Sequence, residues 1–202
     1  MDWRDSLALI GWQIDEHPDS VPLRLRKAEM NLAHRQWEYA AEEYSWILLH
    51  RPTELAALFY RAFAYNMMRR YDLARNDYET FLKIAPFHME ARICLAHTLA
   101  KMNRNADAMD QFNRLVELHP DSAEAYIARA DFERDISFLD AALYDYDRAI
   151  ELSPCNADLI VSAADILITQ EKRAEALQML QKAVDCGTPR AALKEWFDKC
   201  RQ

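Results

Sequence analysis

Small and large apolar residues recur along this chain at a fixed step. Ala28, Ala62, Ala96, Ala130 and Ala164 lie 34 residues apart, and so do Ala40, Ala74, Ala108, Ala142 and Ala176. Four residues after each member of the second series comes a larger side chain: Tyr44, Tyr78, Phe112, Tyr146 or Leu180. Three further on stand Ile47, Phe81, Leu115, Ala149 and Ala183. Ala142, Tyr146, Ala149 and Ile150 fall at i, i+4, i+7 and i+8, which is one face of an α-helix. The two alanine series are twelve residues apart in each copy, with a polar turn between them, as at 69–72 and 101–105. The pattern predicts paired helices whose small residues permit close approach, near the ~8 Å lower end of helix spacing.

The joints between pairs carry the same step. Pro18, Pro52, Pro86, Pro120 and Pro154 are 34 residues apart, each placed where it blocks continuation of a helix. Thr53, Ser122 and Asn156 follow as expected caps for the next helix, and Asp121 to Glu124 has capping-box spacing. Self-similarity of this length predicts stacked repeats. Outside them, residues 2–16 are expected to form one helix with a Trp3, Leu7, Ile10 and Ile14 stripe. Residues 189–200 are expected to form a closing helix with Ala192, Trp196 and Cys200 on one side. Such end units cover an apolar face while keeping water on the other.

These residues resemble the tetratricopeptide repeat. Five full copies span 21–54, 55–88, 89–122, 123–156 and 157–190, preceded by a half-repeat helix in 1–20 and closed by a capping helix in 189–202. The fourth copy fits best, with Tyr126, Ala130, Ala142, Tyr146, Ala149 and Pro154 at the family's marked places. Departures are local. The first-helix small residue is always Ala, Arg24 and Arg92 replace an aromatic near the start of that helix, and Pro189 comes one residue late. The resemblance implies an all-α, right-handed superhelical solenoid of antiparallel helix pairs, in one continuous domain. It also implies a non-enzymatic scaffold or adaptor that binds a peptide or helix of another protein in a concave groove.

The family assigns that groove mainly to the first helix of each repeat, at places 2, 5, 6, 9, 12 and 13 counted from the repeat's first residue. The first repeat contributes Leu25, Arg26 and Glu29. The second is aromatic, with Phe59, Tyr60 and Phe63, and adds Asn66 for hydrogen bonding. Repeats three to five carry carboxylates, Glu90, Glu124, Asp131, Asp135, Asp158 and Asp165, with His97 on the same wall and Arg134 breaking the row. Aromatic anchors supply much of the affinity of interfaces, and acidic rows steer and select. A partly basic peptide is therefore the expected ligand. The plain alternative is that the carboxylates keep an exposed face soluble and the aromatics pack helices. The carboxylate clamp of chaperone-binding relatives is missing: its Lys, Asn and Arg places hold Leu25, Glu29, Tyr60, Glu90 and Cys94, or, one repeat later, Phe59, Phe63, Cys94, Glu124 and Ala128.

Composition narrows the classes further. Gly11 and Gly187 are the only glycines, so Gly-rich phosphate loops are excluded and few turns with positive φ are expected. A formal charge of −8 opposes generic binding to nucleic acid or anionic membrane. No apolar run approaches the ~20 residues that span a bilayer. The N-terminus lacks a secretory pattern, so a cytoplasmic location is expected. Cys94, Cys155, Cys186 and Cys200 form no CxxC pair and are read as small, partly buried apolar side chains. Neither metal nor cofactor is expected.

His17 to Ser20 and His119 to Ser122 both read HPDS, a tripeptide plus serine that also resembles the J-domain signature. The preceding residues are not basic, and the copies share one phase of the repeat. Helix punctuation is the better reading. A Cys94 and His97 nucleophile pair is the one conceivable catalytic group, and catalysis is not expected. Two alternatives to groove binding remain: self-association through terminal helices bearing Trp3, Trp12, Trp196 and Phe197, and, against the acidic row, RNA binding.

Overall fold

A computed structural model describes residues 2–201. Among the described residues every regular element is a helix. A lone α1 (Trp3–Glu16) is followed in chain order by α2 (Val21–Ala33) and α3 (Trp37–His50), then α4 (Leu55–Met67) and α5 (Tyr71–Ile84). Next come α6 (Met89–Lys101) and α7 (Asn105–Leu118), α8 (Ala123–Asp135) and α9 (Leu139–Leu152), and α10 (Ala157–Thr169) and α11 (Arg173–Asp185). The expected closing helix is instead a 3-10 turn, Arg190–Leu193, running into α12 (Lys194–Lys199). The chain divides into two compact units, residues 1–111 and 112–202, with the boundary inside α7.

Helix packing explains the alanine series. Ala28, Ala62, Ala96, Ala130 and Ala164 are 0% exposed, as are Ala40, Ala74, Ala108, Ala142 and Ala176. The large residues that follow, Tyr44, Tyr78, Phe112, Tyr146 and Leu180, are also fully buried. A fully buried side chain of this size contributes on the order of 1.5–3 kcal/mol. Enlarging one of the alanines would overpack a tight contact, at a cost of about 1–3 kcal/mol. In the first unit α2 packs on α3, α3 on α4, α4 on α5 and α5 on α6; in the second α8 packs on α9, α9 on α10 and α10 on α11. Phe197 and Leu193 close the core of the second unit together with Cys200.

The turns between paired helices overturn one expectation. Scarce glycine pointed to few positive-φ turns, yet Arg35, Arg69, Asn103, Ser137 and Glu171 all have φ between 58° and 65°. Each stands one residue past the C-cap of a first helix. The next residue's N–H reaches back to a carbonyl five residues earlier, as from Arg70 to Tyr65 at 2.8 Å and from Phe138 to Glu133 at 2.7 Å. That bond satisfies a helix-end carbonyl and requires the left-handed residue between. The turn geometry thus prevails over the steric preference of five non-glycine residues.

The caps meet expectation only in part. Ser122 accepts from the Ala125 N–H, and Asn156 accepts from Asp158 and Leu159. His88 Nδ1 accepts from Ala91 at 3.2 Å, a cap unforeseen from sequence. Thr53 is not the cap of α4, because Glu54 stands there without a side-chain bond. Ser20 makes no capping bond either, so the two HPDS copies punctuate helices in different ways. The capping box lies at Asp2 and Asp5 rather than at Asp121 and Glu124.

Cys155 and Cys186 were expected to be separate thiols. They form a disulfide, Cα to Cα 5.3 Å, that ties the joint before α10 to the end of α11. The residues are 31 apart in sequence, so no short motif announced the pair.

Candidate functional site

In the first unit the aromatic zone lies on one first helix, α4. Phe59 and Tyr60 diverge. Phe59 is half-buried amid Tyr78, Phe81 and His88, with ring centroids 5.8–6.0 Å away, and packs rather than binds. Tyr60 is 41% exposed and stacks on Tyr44 at 6.2 Å. Phe63, 38% exposed, makes a T-shaped contact with Trp37, ring centroids 5.9 Å apart. Tyr60, Phe63 and the exposed Met67 therefore offer apolar surface that their own unit does not cover.

Asn66 is committed within the fold. Its Nδ2 donates to Thr98 Oγ1 at 2.8 Å, tying α4 to α6. Glu29, Arg26 and Glu90 are exposed, His97 is exposed, and Leu25 is half-buried. Burial, chiefly, pushes the Cys94 thiol above its ordinary value. That is the opposite of what a nucleophilic thiolate needs.

In the second unit α8 and α10 present the carboxylates. They are not equivalent. Asp131 Oδ1 accepts from the Tyr146 hydroxyl at 2.5 Å and pairs with Arg134 Nη2 at 3.2 Å. Arg134 Nη1 also donates to the Tyr146 oxygen at 2.9 Å. Arg134 therefore completes a three-membered cluster rather than interrupting a row. Asp165 lies 3.8 Å from Lys199 Nζ, which Glu195 also holds at 2.9 Å. Glu124, Asp135 and Asp158 are exposed and form no ion pair among the described residues. They are the carboxylates available to a partner.

Sequence reasoning missed Tyr44, Tyr146 and Trp37 as parts of this wall. The two tyrosines were read as core, which their burial supports. A hydroxyl at a fully buried position was the signal, since such a group requires a partner. Burial, then Glu29 and Tyr60, push the Tyr44 phenol well above its ordinary range. Its oxygen has no hydrogen-bond partner among the described residues. The Tyr78 hydroxyl faces Cys94 and Asn66.

The terminal aromatics are largely used at home. Trp3 stacks on His34 at 4.1 Å, and Phe197 is buried under the Arg190 guanidinium at 3.9 Å. Trp196 is half-buried beside Lys199. Trp12, 58% exposed, is the terminal ring left open to solvent. Among the described residues, no group of three or more His, Cys, Asp or Glu could hold a metal ion. No helix among them is long and apolar enough to cross a membrane.

The profile of the tetratricopeptide repeat matches residues 89–132. No curated protein sequence matches the chain. Solved structures do resemble it. YrrB, described as a TPR protein with an unusual peptide-binding site, superposes with a TM-score of 0.62 at 23% identity, covering 88% of this chain and 92% of its own. MamA gives a TM-score of 0.70 at 17% identity, covering 85% and 94%. A tetratricopeptide repeat protein from Parabacteroides merdae gives 0.67 at 20% identity, covering 99% and 78%. At such identities the likeness is one of fold.

Proposed function

The chain carries the tetratricopeptide-repeat fold, and on that premise we propose that it is a non-catalytic interaction module holding a peptide or helix of another protein against its first helices. The observation that carries this reading is the contrast within each unit. Tyr60 and Phe63 stay exposed while their neighbour Phe59 is packed. Glu124, Asp135 and Asp158 stay unpaired while Asp131 and Asp165 are not. Exposed rings give a ligand apolar anchorage, and free carboxylates favour basic residues through complementary potential.

A displayed library of random peptides tests the proposal. Peptides held by the first unit should be enriched in apolar residues, and peptides held by the second in Arg and Lys. Phe63→Ala should weaken the first group at least five-fold, and the double variant Glu124→Lys with Asp158→Lys should weaken the second group as much. Those positions are chosen over Asp131 and Asp165 because reversing either of the latter also disturbs Arg134, Tyr146 or Lys199. Selected peptides that bind both variants as tightly as the wild type would place the interaction elsewhere and end this reading.

A further inference from the structure

Repeats one and four use the same positions around a buried tyrosine, but only one of them supplies its own cation. In the fourth repeat, place 9 is Asp131, place 12 is Arg134 and place 24 is Tyr146. The guanidinium bonds to both the carboxylate and the phenol oxygen. In the first repeat, place 9 is again a carboxylate, Glu29, and place 24 again a fully buried tyrosine, Tyr44. Place 12 is Leu32, and among the described residues no guanidinium bonds to the phenol.

The consequences are visible in the structure. Glu29 is exposed and makes no ion pair among the described residues; Arg26, one turn earlier, does not engage it. The Tyr44 oxygen is sealed from water with no hydrogen-bond partner. A buried hydroxyl in that condition forfeits roughly 1–3 kcal/mol. The Tyr60 ring, 41% exposed, stacks on the Tyr44 ring with centroids 6.2 Å apart, and Phe63 stands one turn further along α4.

We propose that Glu29, Tyr44, Tyr60 and Phe63 form a subsite for the guanidinium of an arginine side chain in the bound peptide. The proposal deepens the peptide-binding reading above and rests on it. Glu29 supplies the charge. The Tyr60 face supplies a surface on which a planar guanidinium stacks, which an ammonium exploits less well. A small shift of the exposed Tyr60 ring opens the Tyr44 oxygen to a second N–H, reproducing what Arg134 does for Tyr146. The bound arginine thereby takes the role that Leu32 cannot fill.

The probe is the capped pentapeptide Gly-Gly-Arg-Gly-Gly, with versions bearing citrulline or lysine in place of arginine, titrated into the full chain. Ring resonances of Tyr60 and Phe63 report the site. The arginine peptide should shift them and bind at least five-fold more tightly than the citrulline peptide. Glu29→Gln should bring the two within two-fold of each other. Tyr44→Phe should weaken the arginine peptide about three-fold while leaving the melting temperature unchanged or higher, an outcome a merely structural hydroxyl would not give. Equal binding of arginine and citrulline peptides, or no effect of Glu29→Gln, overturns the subsite. A lysine peptide that binds equally well and ignores Tyr44→Phe overturns the guanidinium assignment. If library peptides depend on Phe63 and Asp158 but not on Glu29, this subsite fails while the peptide reading stands. If the pentapeptide behaves as expected and library peptides ignore those variants, the reverse holds.

Discussion

Arg129 grips Asp145 with two parallel hydrogen bonds, Nε to Oδ2 at 2.5 Å and Nη2 to Oδ1 at 2.8 Å, and Asp145 is 1% exposed. The same step of sixteen residues joins Arg61 to Asp77 with two bonds of 2.7 Å, and Lys27 to Glu43. The remaining guanidinium nitrogen reaches one repeat back, from Arg61 to Ser45 and from Arg129 to Asn113. Each arginine thus locks its own helix pair and the preceding second helix. Removing the buried carboxylate leaves an uncompensated charge, so Asp145→Ala should cost about 3–5 kcal/mol. The double variant Arg129→Met with Asp145→Leu should recover most of that loss. Urea denaturation of both variants checks the prediction, and the recovery separates a charge effect from a packing effect.

Left-handed residues at the intra-repeat turns predict an easy gain. The αL conformation costs an ordinary residue about 1–2 kcal/mol, whereas glycine adopts it freely at an entropic cost of roughly 0.5–1 kcal/mol. Arg69 is exposed, has φ 59° and shows no side-chain bond. Arg69→Gly should therefore raise stability by about 0.5–1 kcal/mol, read as a higher melting temperature with peptide binding unchanged. Arg69→Ala should give no such gain.

Glu133 predicts the opposite of ordinary acid sensitivity. Burial, then the neighbouring Asp145 charge, raise its carboxyl to about 7, with Arg129 acting against them. One of its oxygens has no hydrogen-bond partner. The folded state therefore holds a proton that the unfolded chain releases near the usual value of 4.5. More protons bound in the folded state means stability falls as pH rises, here between about 4.5 and 7. Glu133→Gln should remove this slope. The variant should match the wild type near pH 4 and exceed it by about 2–3 kcal/mol above pH 7, as read from denaturation curves across that range.

The Cys155–Cys186 disulfide closes a loop whose ends are 31 residues apart. Loop-closure entropy assigns about 3–4 kcal/mol to a link of that span. Reductant, or Cys186→Ser, should lower the melting temperature of the second unit and leave the first unit's hydrogen-exchange protection intact. Disulfides persist chiefly in oxidising compartments. The expected cytoplasmic location and this link therefore pull in opposite directions. Trapping the thiols by alkylation in intact cells would show which holds.

Ten alanines and five large residues spaced by 34 were sufficient to indicate helix pairs, because a tight helix contact admits only a small side chain and must recur wherever the contact recurs. All fifteen are fully buried. Outward exposure follows helical phase too: Glu29, Phe63, His97 and Asp165, at one place of the repeat, are all exposed. What the periodicity could not reveal is how polar groups pair off once the helices meet. Asp131 and Glu29 hold the same place in the repeat, yet one is bound to Arg134 and Tyr146 and the other is exposed without an ion pair. Asp165 holds that place too and pairs with Lys199, which comes from a helix outside the repeat step. Cys155 and Cys186, the left-handed turns and the His88 cap belong to the same class. Sequence alone determined the spacing of apolar contacts, which a regular helix converts directly into faces. Tertiary structure decided the polar partnerships, because these depend on which side chains meet across helices, and equivalent places in different repeats carry different residues.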